Sequence, residues 1–191
     1  MKTQEAVALL AQWDRRGKYV HLKRDLAKVF AESGNNLDQT VKRLTAKGVL
    51  IRAARGVYVF AYSPRIGAAT IEDVALALRR GEHSFESLES ALSQWGLISQ
   101  VPADRVTLMT TGGTGTFRTP YGTIEFVHTQ ADPSEIRANT VERPGHALPI
   151  ATEAYAVANL RRTRRNLGLI VARAARPRWA KGVPRLGARP P

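Results

Sequence analysis

Along the first sixty residues the apolar positions recur at helical spacing three times, then switch to the run expected of extended chain. Ala6, Leu10 and Trp13 share one face of residues 3–15, with Val7 and Leu9 beside them. A helix is predicted there, with Thr3 as N-cap and Gly17 as its stop. Leu22, Leu26, Val29 and Phe30 follow i, i+4, i+7, i+8 spacing and predict a second helix over 22–30. Leu37, Val41 and Leu44 mark a third over 37–47. Asn36 and Gln39 there have the form of a capping box, and Gly48 sits where a C′ glycine is expected. After Gly48 the segments "VLIRA" and "VYVF" are rich in β-branched and aromatic residues, with "ARG" between them. That is a hairpin signal, with Gly56 as the permissive turn residue. Three short helices followed by a hairpin is the order of a winged helix-turn-helix domain, predicted over residues 1–62. Its third helix is the recognition helix and its hairpin is the wing.

The middle of the chain, residues 63–160, reads as a small α+β domain. Ile71, Val74, Ala75 and Leu78 predict a helix over 71–80. Phe85, Leu88, Leu92 and Trp95 predict another over 84–95. Residues 105–110 ("RVTLMT") predict a strand, and "GTFRTPYGTIEFVH" predicts two strands around a turn at Pro120-Tyr121-Gly122. Together these give an antiparallel sheet of about three strands. A last helix is expected over 152–160. Residues 161–191 are rich in arginine and interrupted by Pro and Gly. They predict a basic, partly disordered tail, or an arm that folds on a duplex.

Charge changes this picture from a fold to a surface. The 191 residues carry a formal net charge of +13. Residues 1–60 hold twelve Lys/Arg against five Asp/Glu, residues 61–153 hold seven against eleven, and residues 154–191 hold ten against none. A basic head and end favour polyanions, and nucleic acid in particular. No stretch of the sequence is long and apolar enough to predict a membrane span. The chain has no cysteine, which excludes disulfides, thiolate chemistry and Cys-based zinc sites, and fits a cytoplasmic protein. His21, His83, His128 and His146 are scattered, near no carboxylate at metal-ligand spacing. "TTGGTGT" lacks the Gly-Lys-Ser/Thr ending of a phosphate-binding loop and precedes a strand; a hairpin connection is expected. No nucleophile, acid–base pair or metal set emerges, so neither an enzyme nor a cofactor is predicted.

With Leu37, Val41 and Leu44 on the core side of the third helix, Asn35, Gln39, Lys42, Arg43 and Ala46 point the other way. Asn35 is expected just before the helix, beside Asn36. Asn and Gln pair bidentately with adenine and Arg with guanine. Lys and Arg also meet phosphates, which set register and supply sequence-independent affinity. In the hairpin, Arg52 and Arg55 are placed for phosphates or a minor groove. Lys18, Lys23 and Arg24 lie near the start of the second helix, in reach of flanking backbone.

"SFESLESALSQWGLI" (84–98), then "RVTLMTTG", then "RTPYGTIEFVHT" (118–129) resembles the AbiE-type antitoxin family of bacterial toxin–antitoxin and abortive-infection systems. "ARGVYVF" (54–60) is similar to the end of that family's N-terminal half. The resemblance implies a winged-helix domain fused to an α+β antitoxin domain. It also implies repression of the protein's own operon and a partner toxin resembling a nucleotidyltransferase. The family's DNA-binding role falls on the N-terminal domain, and so on Asn35, Gln39, Lys42, Arg43, Arg52 and Arg55. A two-fold operator would imply a homodimer or paired monomers on DNA. The alternative is a stand-alone transcription factor whose second domain dimerises or senses a ligand.

Overall fold

The computed structural model describes residues 1–98 and 104–165. The protein is α+β, and its described residues form seven helices and nine strands. The chain divides into two compact units. The first is Met1–Leu78 with the short turn Thr119–Tyr121; the second is Arg79–Arg118 and the chain from Gly122 onward. The predicted tail lies, from residue 166, outside the described residues.

The first unit runs α1 (Thr3–Arg15), β1 (Val20–Leu22), α2 (Lys23–Phe30), α3 (Gly34–Ala46), β2 (Leu50–Ala54), β3 (Val57–Phe60) and α4 (Thr70–Leu78). Thr3 is thus the first helical residue, and Lys2 holds the N-cap position. The three predicted helices form because each buries its apolar stripe on a common core: Ala6 and Leu10, then Leu26 and Phe30, then Leu37, Val41 and Leu44. β3 is central in the sheet order β1-β3-β2, and both pairings are antiparallel. β1 was not predicted, because three residues are too few to show a period. It pairs Val20 with Val59, His21 with Tyr58 and Leu22 with Val57. Gly56 turns the β2–β3 hairpin at φ +75°, where a side chain would be strained.

Two expectations change in this unit. α3 begins at Gly34, so Asn35 and Asn36 lie inside its first turn. Asn36 is therefore not the N-cap, and no Asn36–Gln39 capping box forms; Ser33 occupies the N-cap position. α4, grouped from the sequence with the middle region, packs on β1 and β3. The Tyr19 hydroxyl donates to Asp73 Oδ2 at 2.6 Å and lies 3.2 Å from Thr70 Oγ1. Ser63, in the connection to α4, donates to Asp14 Oδ1 of α1 at 2.7 Å. The boundary accordingly falls after Leu78 and not near residue 62.

The second unit contains β4 (Ser84–Glu86), α5 (Leu88–Gln94), β5 (Arg105–Thr110), β6 (Gly115–Thr119), β7 (Gly122–His128), α6 (Pro133–Ala138), β8 (Thr140–Val141), β9 (Ile150–Ala151) and α7 (Glu153–Arg162). Its six-stranded sheet has the order β6-β7-β5-β4-β9-β8. The sheet is mixed, not antiparallel as predicted: β5 pairs parallel with β7, and β4 parallel with β9. The cause is the glycine-rich loop. It does not reverse β5 into a hairpin but carries the chain past the end of β7. His128 closes that crossing, its amide donating to Thr114 Oγ1 at 3.2 Å and its ring Nδ1 lying 2.9 Å from the Gly112 carbonyl. A Cβ on Gly112 would sit 2.9 Å from Glu82 and 3.0 Å from Arg79, so a larger residue there would have to displace those two side chains.

The helix predicted over 84–95 is a strand followed by a shorter helix. Ser87 is extended, and Leu88 enters α5 at φ +55°. Phe85 pairs across from Met109 in the sheet instead of sharing a helical stripe. Leu88, Ala91, Leu92 and Trp95 do pack the core. Trp95 Nε1 donates to the Ala151 carbonyl at 2.8 Å, and Phe85 stacks on Tyr155 at 5.8 Å. Arg143 and Glu86 form a buried ion pair at 2.6 Å.

Burial and the Asp73 carboxylate push the Tyr19 hydroxyl up to about 12. Its neutral form therefore stabilises the fold, fully below pH 10 and decreasingly as the pH rises toward 12. Tyr19→Phe should cost about 1–2 kcal/mol in urea unfolding at neutral pH. That difference should shrink as wild type and variant are compared at increasingly alkaline pH.

Candidate nucleic-acid interface

Helical spacing divides α3 into four faces. Leu37, Thr40, Val41 and Leu44 are buried. Asn35, Gln39, Lys42 and Ala46, spaced i, i+4, i+7, i+11, form an exposed outer ridge opposite them. On one flank, Asp38, Val41, Lys42, Thr45 and Ala46 border an open groove of about 410 Å³. The groove's other walls are Lys23 at the start of α2, Arg52 of β2 and Tyr58 of β3.

The sheet explains why these residues meet. Leu22 pairs with Val57, and the Lys23 amide donates to the Gly56 carbonyl at 2.8 Å. The start of α2 is thereby fastened to the hairpin. Arg52 lies opposite Tyr58 in the β2–β3 register, and Tyr58 lies opposite His21 of β1. The pairing slips one residue between Arg52 and Ala54. Arg55 is exposed at the hairpin tip, beside Gly56.

Lys23, Asn35, Asn36, Gln39, Lys42, Arg43, Arg52 and Arg55 were expected at this surface, with Lys18 and Arg24 near its flank. The groove gathers three of them: Lys23, Lys42 and Arg52. Asn35 and Gln39 lie on the adjoining ridge, with Lys42 shared between ridge and groove. Asn36 is exposed but spaced with Arg43 and Lys47 on the opposite flank. That flank turns toward the start of the chain. Arg43 donates through its guanidinium to the Met1 carbonyl, and Lys47 Nζ donates to Thr3 Oγ1 at 3.1 Å. Arg43 is half-buried and committed to this contact, so it is not part of the outward ridge where it was expected. The Met1 ammonium pairs with Glu32 at 2.9 Å, and this contact, with a Thr40 hydrogen bond, holds the Glu32 carboxyl below its ordinary range. Lys18 pairs with Asp25 at 3.3 Å.

Sequence reasoning missed Asp38, Thr45 and Tyr58. Asp38 forms an ion pair with Lys23. Its signal was present: positions 38, 42 and 45 share helical spacing, and Asp38 is an isolated carboxylate in a basic segment. Tyr58 looked like an ordinary strand residue. Among the described residues, no group of three or more His, Asp or Glu gathers as a metal site, and no helix is long and apolar enough to cross a membrane.

The chain belongs to the family described as "Family of unknown function (DUF6088)", whose pattern matches residues 15–144. That match takes in α2, α3, the hairpin and most of the second unit. The fold is similar to that of the RV2827C protein from Mycobacterium tuberculosis, known from its crystal structure, with a TM-score of 0.58 at 16% identity. The likeness covers 87% of this chain and 64% of that one, so this chain spans under two thirds of that protein's length. No curated protein matches the chain.

The placement of Arg43 sets its packing role apart from the exposed ridge. Arg43→Ala should lower stability by roughly 0.5–1.5 kcal/mol through the lost hydrogen bond. Asn35→Ala and Gln39→Ala should stay within about 0.5 kcal/mol of the parent. Urea unfolding of the three variants checks the order.

Proposed function

We propose that the protein is a sequence-specific DNA-binding repressor whose first unit is a winged helix. The observation that carries this reading is the joining of the α3 ridge to a cationic groove. Asn35, Gln39 and Lys42 project from one helix face, while Lys23, Lys42 and Arg52 converge beside it. A major groove about 12 Å wide admits a helix of this kind. Asn and Gln then meet base edges, while Lys and Arg beside them meet phosphates. β1, inserted between α1 and α2, and the β2–β3 ribbon beside α3 support the winged-helix assignment. Arg55 at the ribbon tip is positioned to contact the flanking backbone or a minor groove.

The role we assign is autorepression within a toxin–antitoxin operon, with a nucleotidyltransferase-like toxin as partner and two copies on a two-fold operator. Support for this part comes from the paired patterns "SLESAL…GLI" and "TPYGTIEF.H". A cytoplasmic site of action follows from it.

The test is a footprint on the region upstream of the protein's own gene, at two salt concentrations. Protection of a discrete site that weakens steeply with salt is expected. Gln39→Ala should relax base preference at one position, at a cost of about 1–3 kcal/mol. Lys42→Ala, Arg52→Ala and Arg55→Ala should weaken all sequences alike and flatten the salt dependence by about one phosphate contact each. Uniform protection of every sequence would overturn specific recognition. Failure of a neighbouring nucleotidyltransferase-like protein to co-purify would overturn direct binding of a toxin.

A further inference from the structure

The groove contains a charge that a simple phosphate-binding surface would not have. Among the residues lining it, three are cationic and one, Asp38, is anionic. Asp38 is ion-paired with Lys23, yet both side chains remain open to solvent, at 53% and 46% exposure. An exposed pair of this kind contributes little to folding. Asp38 also stands one helical turn before Lys42 and two before Thr45, within the segment expected to enter a duplex. A carboxylate there repels backbone phosphate and competes with it for Lys23. In a major groove the favourable partner for a carboxylate is the exocyclic amino group of cytosine, which donates.

We infer that Asp38 is a specificity-determining residue: it withholds Lys23 from phosphate on any duplex that does not present a cytosine amino group to its carboxylate. On a matching site the amino group takes over Asp38, and Lys23 turns to the backbone. On other sequences the pair stays closed, and the phosphate contact is lost. The design lowers non-specific affinity more than specific affinity, which is how a repressor resists competing genomic sites. The inference rests on the DNA-binding reading above.

The experiment compares the full chain with Asp38→Asn, Lys23→Ala and the double variant. Each is titrated with a mixed-sequence duplex of about 30 base pairs at several salt concentrations, and melting curves confirm that each is folded. Wild type and Asp38→Asn are also used to select from a pool of randomised duplexes. Asp38→Asn should bind the mixed duplex several-fold more tightly, with a log–log salt slope steeper by about one. That gain should vanish in the Lys23→Ala background. Wild type should enrich a C·G pair that Asp38→Asn exchanges for A·T, because Asn pairs with adenine. Equal affinity and slope, a gain that survives without Lys23, or an unchanged base preference would each overturn the inference while leaving DNA binding intact. If wild type binds no duplex at any salt, the functional reading fails, and the inference with it.

Discussion

Everything at the candidate surface is suspended from β3. All four of its residues are buried, and it is the one strand of its sheet with a partner on each side. Through β1 it fixes where α2 begins, and through β2 it fixes where the ribbon lies. α3 packs on β2, the partner of β3, so the groove's cations come from three elements tied to β3 directly or through a neighbour. Truncation of Val57 or Val59 to Ala would be felt at Lys23 and Arg52, because a close-packed interior transmits strain.

The surface does not use its charges uniformly. α3 turns one flank to the start of the chain, where Arg43 and Lys47 make intramolecular hydrogen bonds. It turns the other flank to the groove, where Lys42 and Arg52 are exposed and Lys23 is matched to a carboxylate. A count of basic residues treats these positions as equal. Their partners separate them: Arg43 and Lys47 are engaged with the start of the chain, Lys23 is ion-paired, and Lys42 and Arg52 are exposed.

The legibility of the sequence follows the same physics. α1, α2 and α3 were readable because each carries an uninterrupted apolar stripe, and the hairpin because its composition changes at Gly48. β1 was not, since Val20–Leu22 spans too few residues to show alternation. The segment 84–95 misled because Phe85, Leu88, Leu92 and Trp95 keep helical spacing across a strand–helix junction, broken only by the backbone at Ser87 and Leu88. Sheet direction was hidden altogether. Alternation in β5 and β7 is the same whether they run parallel or antiparallel, and only the path of the glycine-rich loop decides. At the interface, helix phase predicted the outward ridge, but the side of the helix facing Met1 could not be foreseen from phase alone. Arg43 was therefore misplaced.

The mixed sheet has a kinetic consequence. β4 pairs with β9 through Glu86 and Ile150, and β5 with β7 across the whole of β6. Such pairings close long loops before any contact rewards them, which slows assembly. The first unit closes its β2–β3 hairpin through a tight turn and forms four helices locally. During synthesis it can organise while the later sheet is still open, and the exposed edges of that sheet set the period in which the chain is most vulnerable to aggregation.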